Sequence, residues 1–406
     1  MSHLYKPCEL VTDSHETLQV ANRDYYFSSQ FQYSTRPDLW DTRIIGNGSV
    51  NHNQSNQNVE ISVGIGASVL RRTTKLIPYF TGRVVQMTFS VKYDPSVKDT
   101  VTQKVGIYDD LNGLYFQLDS GGLRFVVKNN GEISNYSYQE NWNQDKLDGT
   151  GPSGIILDPT KFQVGVIEYE WYGSGRVKFG VIIEDKIIWA HFFDFANSLT
   201  SPYMGTAILP ISYEVISTTG VTTVIQGSSV SSLVGKIPTT GQPRVIGVPI
   251  STPITVGVGN TYRRVISVRL NPLYKNSIVT YNSIRTFGDS NANYEYRVSV
   301  QDTFLNSSGI GVSNPTQWNW INVPASVLQY SIPPNLSQPE IVDHGITFES
   351  NYFRGQNSAG GVSIESFISQ MGRKIDGTSD IWTLSISSDS PSKTAVGNIS
   401  WVEISK

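Results

Sequence analysis

Cysteine is nearly absent: Cys8 is the single one among 406 residues. One thiol excludes an intramolecular disulfide framework and a cysteine-built zinc cluster, and Cys8 reads as a free thiol in an N-terminal arm. Charge is also scarce, at 16% of residues with a net charge of −3. With no block of basic residues there is no electrostatic footprint for nucleic acid, so no such partner is expected. No apolar run exceeds a few residues, which argues against a membrane-spanning segment. The opening MSHLYKPCELVTDSHETL carries acids and no apolar centre, unlike a signal peptide. Helix-favouring Ala, Leu, Glu and Lys are thin. In their place stand 35 glycines, many Ser, Thr and Asn, and an aromatic fraction of 11%. Disordered chains combine few aromatics with many charges, and this chain does the reverse. The composition predicts an all-β protein rich in turns.

Strand signals separated by Gly, Asn and Asp turns recur at 59–65, 84–93, 104–108, 114–118, 123–128, 162–171 and 177–183. That spacing predicts an antiparallel β-sandwich of jelly-roll or lectin-like type over 31–215, after an arm at 1–30. The polar run 46–57 reads as a loop. Further strands at 263–270, 294–300, 346–353, 381–387 and 399–404 predict a second sandwich over 261–406. One helical period, Ile364, Phe367, Ile368 and Met371 behind a Ser363 cap, predicts a short helix there. Between the two, 216–260 holds only Lys236 and Arg244 as charges. It reads as an extended linker or interface segment, covered either within the chain by the two sandwiches or, in the sharper reading, by another subunit in a homo-oligomer.

One hairpin allows a register. With Gly173-Ser174-Gly175 as a three-residue loop, Tyr169 opposes Phe179, Glu170 opposes Lys178 and Trp171 opposes Val177. Ile167, Tyr169, Trp171, Val177, Phe179 and Val181 then make an apolar face, while Glu168, Glu170, Arg176 and Lys178 make a charged one. A turn at Asp185-Lys186 folds 187–193 back. Tyr169, Trp171, Phe179 and Trp189 are assigned to the core.

Motifs with catalytic or binding precedents reduce to structural readings. Gly149-Thr150-Gly151-Pro152-Ser153-Gly154 matches G-x-G-x-x-G but precedes a strand-like segment, not a helix, so it is a turn. Glu168 and Glu170 share a strand face at roughly 7 Å, a spacing that suits only an inverting glycosidase. The cations expected beside them favour surface ion pairs on an open face. Asp289-Ser290-Asn291-Ala292-Asn293 begins like a calcium loop but lacks the glycine and the closing glutamate, and reads as a hairpin turn. No two of the five histidines have zinc-binding spacing, and His191 reads as a packed, neutral imidazole. Trp142 and Tyr172 lie at expected loops and are the candidates for stacking on a sugar. No catalytic residue, metal or cofactor is expected.

A resemblance adds to this reading. The run Gln139-Glu140-Asn141-Trp142-Asn143-Gln144-Asp145-Lys146-Leu147-Asp148 continues into Gly149-Thr150-Gly151-Pro152-Ser153-Gly154-Ile155-Ile156-Leu157-Asp158. With Glu168-Tyr169-Glu170-Trp171, Gly173–Gly180, Ala196-Asn197-Ser198 and Leu209–Glu214, it resembles a family of virion structural proteins of tailed bacteriophages, cyanophages among them, and of large DNA viruses. The likeness is good over 70–215 and loose over 260–406. It implies a virion component assembled in the host cytoplasm, as capsid decoration, spike or tail fibre, with other virion proteins as partners and, by analogy to phage spikes, a homotrimer as the favoured oligomer. Three functions are therefore carried forward: a non-enzymatic structural component, a lectin-like receptor-binding module on the particle, and a jelly-roll glycoside hydrolase using Glu168 and Glu170.

Overall fold

The computed structural model describes residues 23–227, 229–235, 241–305, 311–312, 318–333, 341–355, 359–360 and 370–405. The chain divides into two compact units, Met1–Pro238 and Thr239–Lys406. Both are built from β-strands with brief 3-10 turns. No helix among the described residues is long and apolar enough to cross a membrane.

The first unit holds Arg23–Gln30 (β1), Trp40–Ile45 (β2), Gly48–Asn53 (β3), Asn58–Val63 (β4), Ser68–Thr73 (β5), Val85–Val91 (β6), Val101–Tyr108 (β7) and Gly113–Asp119 (β8). Then follow Gly122–Asn129 (β9), Glu132–Tyr138 (β10), Gln163–Tyr169 (β11), Val177–Ile183 (β12), Lys186–Phe193 (β13), Ile211–Ser217 (β14), Thr222–Gly227 (β15) and Ser229–Gly235 (β16). A six-stranded sheet runs β1-β16-β6-β11-β12-β13, a seven-stranded one β10-β9-β8-β7-β14-β5-β2, and a small one β15-β4-β3. Period-two alternation explains the first two. On β6, Val85, Met87, Phe89 and Val91 face the core, while Gln86, Thr88 and Ser90 of the same strand take the opposite face. Rings of the two sheets meet: Phe89 and Phe116 lie 5.1 Å apart edge to face, and Phe125 stacks on Phe179 at 4.7 Å. Each such buried side chain contributes about 2–3 kcal/mol of transfer free energy.

The hairpin departs from its expected register by two residues. Glu168 opposes Lys178, Tyr169 opposes Val177, and strand pairing stops there. The connection is longer than three residues because Trp171 and Gly173 are held elsewhere. The Trp171 indole donates to the Met204 carbonyl at 3.2 Å, and the Tyr203 amide donates to the Gly173 carbonyl at 2.9 Å. Tyr172 and Gly173 both turn left-handed, at φ 38° and 82°. A slip of two keeps every residue on its face. Ile167, Tyr169, Val177, Phe179 and Val181 are therefore buried in the core, while Trp171 is half-buried against Tyr79. Trp189 corrects the expectation. A bulge lets Phe179 oppose His191 while Gly180 opposes Trp189, so Ala190 is the extra residue. Trp189 thus leaves the core face and lies over the Lys178 ammonium at 5.5 Å.

Other expectations also shift. The polar run 46–57 is no loop: β3 pairs with β4 from Gly48–Val63 to Asn53–Asn58. Its strand signal is weak because both of its faces stay partly wet. The end of the arm is β1, paired with β16. Within 216–260, β15 and β16 pair with β4, β1 and β6, and Gln242–Gly247 pairs with Thr394–Ser405. Each of these strands thus finds a partner inside the chain, while β15 and Gln242–Gly247 remain at the edges of their sheets.

In the second unit, Tyr262–Leu270, Ile381–Ser388, Asn293–Val300 and Ile346–Arg354 are consecutive in a ten-stranded sheet. Gln242–Gly247, Thr394–Ser405 and Ile278–Gly288 belong to a five-stranded one. Trp401, Ile399 and Ile284 of the latter share a core with Leu384, Ile386, Ile266 and Val268 of the former. Tyr281 meets Trp382 at 5.9 Å and 90°. The helix expected around Ile364–Ile368 lies outside the described residues. Met371, at its expected end, is extended, its amide bonded to the Val279 carbonyl at 2.9 Å.

Candidate functional site

The outer face of the seven-stranded sheet carries the densest set of polar groups in the first unit. Alternation puts them there. On β7, Val105 and Ile107 enter the core while Lys104, Gly106 and Tyr108 point out; on β14, Tyr213 and Val215 enter while Ser212 and Glu214 point out. Register then aligns the outward residues in two rows. Glu214, Lys104, Gln117, Arg124 and Tyr138 oppose one another on β14, β7, β8, β9 and β10. Beside them run Arg72, Ser212, Gly106, Tyr115, Val126 and Tyr136.

Where the second row passes Ser212 and Gly106, the side chains shrink and a hollow opens. A methyl at Gly106 would sit 2.2 Å from the Leu114 carbonyl oxygen and 2.6 Å from Tyr115 Cβ, so only glycine lets β7 approach β8 there. The hollow has a volume of about 150 Å3 and is lined by Arg72, Lys104, Tyr108, Tyr115, Lys128 and Glu214, with Asp109 and Asp110 completing it. Lys104 Nζ meets Glu214 Oε2 at 2.9 Å. Arg72 Nη2 meets Asp110 Oδ1 at 3.0 Å, and its Nε donates to Ser212 Oγ at 3.2 Å. Burial alone would raise the Asp110 carboxyl, but the Arg72 guanidinium wins and holds it below the usual range. Asp109 Oδ1 accepts the amides of Leu111 and Asn112, fixing the turn that carries Asp110. The Tyr108 and Tyr115 rings lie 4.9 Å apart at the wall. Burial, with Glu214 adding to it, pushes the Tyr108 phenol far up, so it stays a hydrogen-bond donor. Farther along the face, the Arg124 guanidinium lies 5.2 Å from both Tyr136 and Tyr138, and the Tyr136 ring is 56% exposed.

No family model and no curated protein matches the sequence. Among solved structures the chain is similar to the CBM2 module of the evolved Dit protein of Lactobacillus casei BL23 phage J-1. Identity is 8%, coverage 54% of this chain and 99% of that one, and the TM-score 0.34. The metal-free lectin I-B4 of Griffonia simplicifolia is 11% identical, over 51% of this chain and 99% of that one, at a TM-score of 0.31. A legume lectin-like domain of Entamoeba histolytica is 12% identical, over 51% and 95%, at 0.30. At these scores none of them bears on ligand or partner.

The residues singled out in the sequence lie away from the hollow. Trp142 is not a loop-tip aromatic: it is 3% exposed and stacks on Phe125 at 4.3 Å. Tyr172 is 54% exposed, at the turn between β11 and β12. Glu168 and Glu170 are not on an open face, being 3% and 4% exposed. Glu168 is held by Lys178 Nζ at 3.2 Å and by the Gln86 amide at 3.1 Å. Gly149–Gly154 is a loop organised by Asp145, whose carboxylate accepts the amides of Leu147 at 2.8 Å and Ser153 at 2.7 Å. The 289–293 segment is not the expected hairpin turn: it links Ile278–Gly288 of the five-stranded sheet to Asn293–Val300 of the ten-stranded one, and the Asp289 carboxylate accepts from the Thr394 hydroxyl at 2.6 Å. Among the described residues no group of three or more His, Cys, Asp or Glu side chains is placed to hold a metal ion. His191 packs on Phe193 at 4.4 Å, and burial pushes it down to about 4.

Sequence reasoning missed Lys104, Lys128 and Glu214 because each is an isolated charge inside a strand, Lys104 and Glu214 the lone charges of theirs and Lys128 four residues from Arg124. The available signal was a charged residue amid β-formers, as in Thr102-Gln103-Lys104-Val105 and Ser212-Tyr213-Glu214-Val215. Only the register shows that they converge.

Proposed function

We propose that the first unit is a non-catalytic carbohydrate-binding module, carried by a component of a virus particle. The hollow is what supports the carbohydrate reading. A sugar presents adjacent hydroxyls that each donate and accept, and Lys104 beside Glu214 offers a donor and an acceptor 2.9 Å apart on a rigid sheet. The tyrosine rings along the same face offer apolar surface to the C–H side of a pyranose, with a polar tip toward water. A shallow site on a pre-formed sheet binds without costly reorganisation. Against hydrolysis stands the state of Glu168: a buried carboxylate paired with Lys178 has no access to a glycosidic bond. The particle reading rests on the resemblance of residues 139–158.

The test is a glycan array followed by calorimetry on the purified chain. Glu214→Gln should weaken the binding found by about tenfold or more, the worth of one charge-assisted hydrogen bond. Tyr172→Ser, outside the hollow, should leave it unchanged. Absence of any glycan binding, or full affinity in Glu214→Gln, defeats the carbohydrate reading. Absence of the protein from purified particles by mass spectrometry defeats the other.

A further inference from the structure

The hollow carries three cations, Arg72, Lys104 and Lys128, and three anions, Asp109, Asp110 and Glu214, but not all of them are in contact with a partner. Lys104 is matched by Glu214 and Arg72 by Asp110. Of the remaining pair, Asp109 commits one oxygen to two backbone amides of its own turn. Lys128 stands on β9 in the same lining, half-buried, and among the described residues its ammonium makes no hydrogen bond or ion pair. Burial, then the nearby Lys104 charge, lowers its proton affinity, and the Glu214, Asp110 and Asp109 carboxylates offset this only in part. Tyr108 provides a second donor: its hydroxyl is fully buried and has no partner. β-Sheet register brings the two together, since Tyr108 opposes Gly113 on β8 and Gly113 opposes Lys128 on β9. Gly113 has no side chain to stand between them.

We infer that the hollow selects an acidic sugar, whose carboxylate or sulfate group is received by Lys128 and Tyr108 while its hydroxyls meet Lys104 and Glu214. This rests on the carbohydrate reading above and deepens it. Two unpartnered donors in the lining of one hollow, one strand intervening, are matched by an anion with several acceptor oxygens, and a neutral hydroxyl would satisfy only one of them. An ammonium already half out of water loses less on binding a charge than one fully solvated.

The experiment titrates the full chain with three matched oligosaccharides: a uronate, its carboxyl-reduced neutral counterpart, and a sulfated form of the latter. The uronate or the sulfated sugar should bind about tenfold tighter than the neutral one, one charge-assisted contact's worth. Which of the two it is identifies the anionic group. At about 1 M sodium chloride, where the Debye length is roughly 3 Å, the gap should narrow. Lys128→Gln, checked for an unchanged melting temperature, should erase the gap while the neutral sugar still binds. Tyr108→Phe should reduce it with the ring packing intact. Equal affinity of the native chain for acidic and neutral sugars, or a gap that survives Lys128→Gln, overturns the acidic selectivity and leaves the carbohydrate site standing. Binding of none of the three defeats both.

Discussion

At the scale of single residues, two buried aspartates titrate in opposite senses. For Asp145, burial would raise the carboxyl, but the amide of Leu147 and then Ser153 hold it below the usual range. Its contribution is present above the ordinary carboxylate value of about 3.9 and is lost as pH falls through the lowered folded value. Asp145→Ala leaves two amides unpaired, which costs about 3 kcal/mol. Thermal denaturation of the first unit should show its midpoint drop by roughly 6–12 °C; an unchanged midpoint would mean the loop is not held by this carboxylate. Asp302, in the second unit, is raised to about 6 by burial, only partly offset by the Gly345 amide and the Ser299 hydroxyl, with Asp343 nearby raising it further. Its favourable contribution is therefore full below about pH 3.9 and lost as pH climbs through about 6, on the order of 3 kcal/mol. His344, whose Nδ1 lies 3.3 Å from Ser299 Oγ, is lowered by burial and so acts with the reverse sign, losing stability as pH falls below 6.5. The substitution isolates the first effect. Asp302→Asn should flatten the loss between pH 4 and 6 in chemical denaturation, and parallel profiles for the two proteins would refute the assignment.

At the scale of elements, the meander β11-β12-β13 separates what the sequence could tell from what it could not. Faces were legible because period two is a property of the strand alone. Register was not, because Trp171 and Gly173 are anchored by Met204 and Tyr203, some thirty residues on. Trp189 was misassigned because a bulge is invisible to alternation, and Trp142 because its cover, Phe125, comes from a different hairpin. The hollow was illegible for the same reason: it is made by register across β14, β7, β8 and β9. The strand faces also decide which charges matter. Lys178 and Glu168 are 11% and 4% exposed as side chains, so removing one partner strands a buried charge and costs about 3–5 kcal/mol. Arg176 faces an Asp194 that is 56% exposed, and such a pair contributes about 0–1 kcal/mol. Urea unfolding should therefore rank Lys178→Ala far below Arg176→Ala in stability. Equal midpoints would show that water reaches Glu168.

At the scale of the molecule, the boundary between the units lies later than composition suggests. Composition changes after Glu214, yet the contacts divide at Pro238 and Thr239. The reason is that low-charge strands with Ser, Thr and Gly read as linker when their partners are distant. β16 pairs with β6, more than a hundred residues earlier, and with β1, earlier still. Among the described residues it is therefore the strand that joins β1 to the rest of the six-stranded sheet. A chain ending at Gly220 keeps β14 but loses β15 and β16. Its β6 would become an open edge, and β1 would have no partner in its sheet. A chain ending at Pro238 keeps all three sheets of the unit, whose strands all lie between Arg23 and Gly235. The longer piece should be soluble and unfold in one cooperative transition, and it should retain the glycan affinity of the full chain, since the hollow lies wholly within it. The shorter should aggregate or melt without cooperativity. If the shorter piece unfolds cooperatively with the same midpoint, β16 is dispensable, and the unit ends where the composition changes rather than where the sheet is completed.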